Sequence, residues 1–147
     1  MLYVIIGPPA AGKSSWIEAR ATARDIVIDL DRITRALTGP GAPAWNHDRV
    51  ASAVALRARY AAIDEAVKYR DERDVYLIHS MPSPKAYARY KRLGAKVVAV
   101  DPGKEIVMQR VRDMRSPALL GVATRWYRDH ARHRRGQTVG RQASRSW

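Results

Sequence analysis

The sequence contains no cysteine and no phenylalanine, and its 14 acidic residues are outnumbered by 27 lysines and arginines. Without a thiol there is no disulfide scaffold, no thiolate zinc site and no cysteine nucleophile. Without Phe, the core of a chain that is 46% hydrophobic must be built from Leu, Ile, Val, Ala, Tyr and Trp. No apolar run approaches the roughly 18 residues of a membrane-spanning helix, and the run at 2–6 is too short for a secretory signal. These absences point to a soluble, cytoplasmic protein with no membrane partner. The 147 residues are enough for one domain, and the net charge of +13 has to be explained.

What is present is an alternation. Residues 2–6 (LYVII), 26–30 (IVIDL), 75–79 (VYLIH) and 95–100 (AKVVAV) are short apolar runs, as expected of strands buried on both faces. Helical patterns fill the intervals, at about 13–24, 31–38, 47–72, 103–114 and 118–134. Another helix opens at Ser83-Pro84, a cap residue before a first-turn proline, and closes at Gly94. Strands alternating with helices give right-handed crossovers and an α/β fold, a doubly wound parallel sheet of about four to five strands. Residues 38–46 (TGPGAPAWN) read as a loop. The domain is expected over 1–135, with 136–147 a basic, flexible tail carrying Arg141 and Arg145.

Residues 7–14, GPPAAGKS, match G-x-x-x-x-G-K-[ST] and stand where its mechanism requires, after a strand and before a helix. In that setting backbone N–H groups wrap a phosphate at a helix N-terminus. Gly7 and Gly12 allow backbone geometry that a Cβ obstructs. Lys13 is expected to reach the β- and γ-phosphates and the Ser14 hydroxyl to ligate Mg²⁺, with Pro8, Ala10, Ala11 and Ser15 completing the cradle. The bland alternative, a turn followed by a surface lysine, accounts for neither the full match nor its placement. The motif implies a nucleoside triphosphate, ATP or GTP, and leaves the acceptor open.

Ligands of open α/β sheets lie beyond the carboxyl ends of the strands, so the polar residues there are the acceptor candidates. The second strand delivers Asp29 and Asp31, the third His79 and Ser80, the fourth Asp101. A carboxylate near the γ-phosphate is suited to take the proton of an attacking hydroxyl. Asp31 is the candidate base, and if a helix begins there it is also that helix's cap, separated from Asp29. His79 is either a site residue or a satisfied buried histidine. A motor ATPase would carry an acid after its third strand; His79-Ser80 in that place favours a small kinase.

Arg110, Arg112 and Arg115 fall within two helical turns, and an arginine brought onto the transferring phosphoryl group stabilises its equatorial oxygens. A solvated basic face is the ordinary fate of such residues. Cations are also spread over Arg32, Arg35, Arg57, Arg59, Lys85, Arg89, Lys91, Arg92 and the segment from Arg128 to Arg145. A mononucleotide uses two or three of these, whereas DNA or RNA uses many. Trp45 and Trp147 could stack on bases, while Trp16 belongs to the core.

With GPPAAGKSSW at 7–16, DLDRITR at 29–35, VVAVDPGKEIVMQRVRDMR at 97–115 and ALLGVATRWYRDH at 118–130, the chain resembles the P-loop kinases of the phage polynucleotide 5′-hydroxyl kinase type. The resemblance implies a P-loop kinase fold and transfer of the ATP γ-phosphate to a nucleic-acid hydroxyl, by a phage-encoded enzyme in the host cytoplasm. Lys13 and Ser14 would bind the triphosphate with Mg²⁺, and Asp31 would be the general base. Arg32 or Arg35 would hold the acceptor's phosphate, with Asp29 and His79 nearby, and Arg110, Arg112 or Arg115 would supply the lid. A kinase of a small nucleoside or nucleotide, or of a hydroxymethylated base in DNA, would use the same parts. A nucleotide-gated nucleic-acid-binding module would use the loop as a switch and need no base.

Overall fold

A computed structural model of the chain describes residues 1–114, 116–133 and 140–142. Five strands, β1 (Leu2–Ile6), β2 (Ile26–Ile28), β3 (Val75–Ile78), β4 (Lys96–Val100) and β5 (Gly140–Gln142), form one parallel sheet in the order β2-β3-β1-β4-β5. β1 is central, with Val4 level with Leu77 on one side and Val97 on the other.

The pleat explains why β1 is apolar throughout. Leu2, Val4 and Ile6 enter one core with Ile63 and Ala66 of α3 (Arg49–Ala66) and Tyr90 of α4 (Pro84–Arg92). Ile5 enters the opposite core with Trp16 and Ile17 of α1 (Lys13–Glu18). Each such aliphatic side chain contributes about 1.5–3 kcal/mol on burial. A third cluster, Val107 of α5 (Lys104–Asp113), Val111 and Ala123 of α6 (Pro117–His133), closes on Ala11 in the loop after β1. That loop is therefore fixed from behind by packed helices. The connections run to opposite sides of β1, and a crevice opens beyond the carboxyl ends of strands at such a reversal of order.

Local chemistry sets the boundaries. The Ser83 hydroxyl caps α4 by accepting from Ala86 N at 3.2 Å, and Gly94 takes the left-handed φ of 69° just past its end. α1 is shorter than the periodicity indicates, because the Asp25 carboxylate accepts from Thr22 N at 2.7 Å and folds residues 22–25 into a turn. Asp48 caps α3, so that helix begins at Arg49, and a 3₁₀ turn at Val67–Tyr69 finishes it. β5 lies in the polar segment that the sequence leaves outside the sheet. It is joined to β4 by parallel backbone pairing, which leaves no hydrophobic period to read. The remainder of that tail, with Arg145 and Trp147, lies outside the described residues.

Candidate active site

Residues 7–14 link β1 to α1 in a conformation that ordinary side chains resist. A Cβ on Gly7 would stand 2.3 Å from the Val100 carbonyl oxygen, so only glycine lets the loop pass the end of β4. Ala10 and Gly12 both have left-handed φ, 58° and 92°. Left-handed residues spaced in this way turn successive N–H groups toward one centre, the geometry of an anion nest. The Lys13 ammonium donates to the carbonyls of Gly7 at 3.0 Å and Pro8 at 2.6 Å, spanning the loop. Burial lowers the Lys13 pKa to about 8, against the upward pull of Asp29 and Asp31. On the far side, the Arg110 guanidinium donates to the Ala10 carbonyl at 3.0 Å and ties α5 to the loop.

Asp29 is the last residue before α2 (Leu30–Leu37) and is its cap, accepting from Asp31 N at 3.1 Å. The expectation that Asp31 caps this helix is corrected: the helix starts one residue earlier, at Leu30, and the Asp31 carboxylate is released from that duty. The second Asp29 oxygen lies 3.4 Å from the Ser14 hydroxyl. Burial raises the Asp29 pKa, opposed by the bond from Asp31 N and reinforced by the Asp31 charge. Among the described residues no group of three or more His, Cys, Asp and Glu could hold a metal unaided. The Ser14 hydroxyl beside Asp29 is the group that would hold a Mg²⁺ shared with a phosphate.

The Asp31 carboxylate, 61% exposed, meets His47 Nε2 at 3.0 Å. The His47 side chain is only 8% exposed, and Asn46 before it takes a left-handed φ of 58°, a conformation Asn tolerates. Asp29 and Asp31 share a cleft of about 530 Å³ with the cradle residues Pro9 to Ser14. Its other walls are Trp45, Arg59, Ile78 to Met81, Met114 and Leu119. Trp45 thus stands where stacking on a base is possible. His79 lines the cleft with its Nδ1 2.7 Å from the Tyr90 hydroxyl. Burial, and secondarily the Arg59 charge, push its pKa down to about 4, so it is neutral at physiological pH.

The remaining arginines separate. Arg32 borders a second groove with Ser14 and Asp29, between α1 and β2. Arg35 and Arg112 are exposed and line neither cleft, and Ser15 sits in the first turn of α1 away from both. Arg115 lies outside the described residues. Asp101 is buried and accepts from the Tyr127 hydroxyl at 2.8 Å and Gly103 N at 3.0 Å, which fixes the turn after β4.

Two residues escape sequence reasoning, His47 against Asp31 and Arg59 on the cleft wall. His47 is invisible because its contact depends on the path of a Gly/Pro loop. Arg59 left a signal: it stands four residues from Ala55 and from Ile63, on the buried face of α3, where an arginine interrupts an apolar stripe.

No protein-family model matches the chain, and no curated protein matches it. Solved structures do. One is the crystal structure of a protein from Chloroflexus aurantiacus named a putative kinase, superposing with a TM-score of 0.60 over 84% of this chain and 78% of that one, at 18% identity. At that identity the likeness establishes the architecture alone, a parallel α/β sheet flanked by helices.

Proposed function

We propose that the chain is a kinase that transfers the γ-phosphoryl group of ATP or GTP to a hydroxyl of a nucleic acid, as polynucleotide 5′-hydroxyl kinases do. The observation that carries this reading is the Asp31 carboxylate, excused from capping α2 and facing the same cleft as Lys13 and Ser14. A nucleotide switch needs the cradle alone; a kinase also needs a base within reach of the terminal phosphate. The kinase name of the structural neighbour agrees with it.

In this scheme Lys13 and the loop N–H groups bind the β- and γ-phosphates, and the Ser14 hydroxyl orients the nucleotide with Asp29. Mg²⁺, when bound, neutralises charge on the phosphate oxygens. Asp31 takes the acceptor's proton as the hydroxyl oxygen bonds to the γ-phosphorus. The bond from that phosphorus to the bridging oxygen breaks, and the nucleoside diphosphate leaves. His47 holds the Asp31 carboxylate, and Arg110 holds the loop through Ala10. Trp45 on the cleft wall and the net charge of +13 support a nucleic-acid acceptor.

The test is an acceptor screen with γ-labelled ATP. Label entering 5′-hydroxyl oligonucleotides is the expected result. Transfer confined to free nucleosides replaces the acceptor, and nucleotide-dependent DNA binding without transfer replaces the enzyme by a switch.

A further inference from the structure

Acids are unevenly placed along the chain. Between Asp74 and Asp101 there is none, while five cations fall in that interval: Lys85, Arg89, Lys91, Arg92 and Lys96. Four of the five belong to α4, which among the described residues is the α-helix without an acid. Tyr87 and Tyr90 turn to the core, so the helix presents Lys85, Ala88, Lys91 and Arg92 to solvent. Lys85 and Arg92, two helical turns apart, align along that face, with Lys91 beside them. Arg89 is set apart by its contact with the Asp64 carboxylate at 2.7 Å. No ion pair among the described residues holds the other three. Helix stability explains the cations of the last turn, where the dipole favours positive charge. It does not explain Lys85, which follows Pro84 in the first turn, where an acid is favoured. The helix also has a fixed course. It begins shortly after Met81, which lines the cleft, and it joins two strands that both run parallel to β1. It therefore leads away from the cleft, over about 13 Å, toward exposed Lys96 at the start of β4.

From this we infer that the solvent face of α4 is a track for the phosphate backbone of a single nucleic-acid strand whose end lies in the cleft. The inference rests on the proposed nucleic-acid reading and adds a surface to it. Contact extends beyond the reacting nucleotide, so long strands bind more tightly than short ones. A line of unpaired cations with no acid between them fits a polyanion of regular charge, and each phosphate neutralised releases counterions. Acidic proteins and anionic lipid surfaces also carry negative charge, but both are held through large apolar side chains as well. Between Lys85 and Arg92 the one exposed apolar residue is Ala88, too small to enter a bilayer or fill a pocket on a protein. The face is built for charge alone, and it starts at the rim of the cleft.

The test measures binding of the full chain, without nucleoside triphosphate, to fluorescent oligothymidylates of two and of twelve nucleotides over a range of salt. The triple variant Lys85→Gln/Lys91→Gln/Arg92→Gln changes only exposed side chains of α4. The control, Arg24→Gln/Lys104→Gln/Arg125→Gln, removes the same charge from exposed positions outside it. Wild-type chain is expected to bind the longer strand more tightly and with a steep salt dependence. The α4 variant should lower the slope of log affinity against log salt by about 2, because each strand phosphate contact contributes roughly 0.7. At low salt it should weaken the longer strand roughly 10- to 100-fold and leave the dinucleotide within about twofold. The control should lose less than half as much slope. If the triple variant fails to fold, the single variants Lys85→Gln, Lys91→Gln and Arg92→Gln decide, each expected to lower the slope by roughly 0.7. Equal losses in the two triples overturn the inference, since net charge rather than α4 then carries the binding. An α4 variant that binds the longer strand as wild type does overturns it, as does a wild type that binds no strand. So does α4-dependent binding of polyglutamate, or of phosphatidylcholine–phosphatidylserine vesicles, that matches or exceeds binding of the strand. Strand binding that depends on α4 in a chain that transfers no phosphate leaves the inference standing and removes only the kinase. Transfer to oligonucleotides with the same KM for short and long strands, in wild type and α4 variant alike, keeps the kinase and overturns the inference.

Discussion

The two sides of the cleft are built by different means. The side proposed to take the nucleotide is one continuous segment, residues 7–14, built from backbone N–H groups and a lysine held on two carbonyls of its own loop. The side proposed to take the acceptor is assembled from the start of α2, the loop at Trp45 to His47, the middle of α3, the end of β3, and Met114 and Leu119. A backbone site is a local property, fixed by where glycines permit the chain to turn. A side-chain wall is a tertiary property, fixed by how helices rotate and where loops return. The first should tolerate little substitution within itself, whereas the second should yield residue by residue.

The largest effect should therefore come from the cradle. Lys13→Ala is expected to lower phosphoryl transfer by on the order of 10³-fold, because the cation that spans the loop is replaced by a methyl group. A residual rate within tenfold of wild type, in the same γ-labelled assay, would erase the contrast between the two sides.

An intermediate effect is expected at His47, which acts through Asp31. His47→Ala should reduce kcat about 10-fold with the KM for ATP unchanged, since only the orientation of the carboxylate is lost. A matching rise in the KM for ATP would move His47 to the nucleotide side and break the division.

The smallest effect is a proton count. A Lys13 amine with a pKa near 8 in the free protein must regain its proton when a triphosphate settles against it. Nucleotide binding at pH 8.5 should take up roughly 0.8 proton, falling toward zero near pH 6.5, where the free amine is already protonated. Calorimetry in buffers of different ionisation enthalpy reads this directly. No uptake at pH 8.5 would mean that the loop does not bury the amine in solution.

The same division governs what the sequence discloses. The cradle, four strands and the capping of α4 by Ser83, Pro84 and Gly94 are readable because each is a local arrangement of residue types. The assignment of cap and base between Asp29 and Asp31 turns on a single residue of helix boundary, finer than periodicity can resolve. Arg59 was legible as a charge in an apolar register, yet in a chain with 27 cations it is one basic residue among many until its helix face is known. His47 depends on a left-handed Asn46 in a Gly/Pro loop, and β5 on backbone pairing alone; neither leaves a pattern in side chains.

The central claim is that Asp31 removes a proton from an acceptor placed against a triphosphate held by Lys13 and Ser14. Its most direct test is single-turnover transfer by Asp31→Asn alongside the equilibrium affinity of that variant for the nucleotide. The account predicts a rate lowered about 10²- to 10⁴-fold with nucleotide affinity preserved. Transfer by the Asn variant at the wild-type rate would contradict it and place the base elsewhere in the cleft.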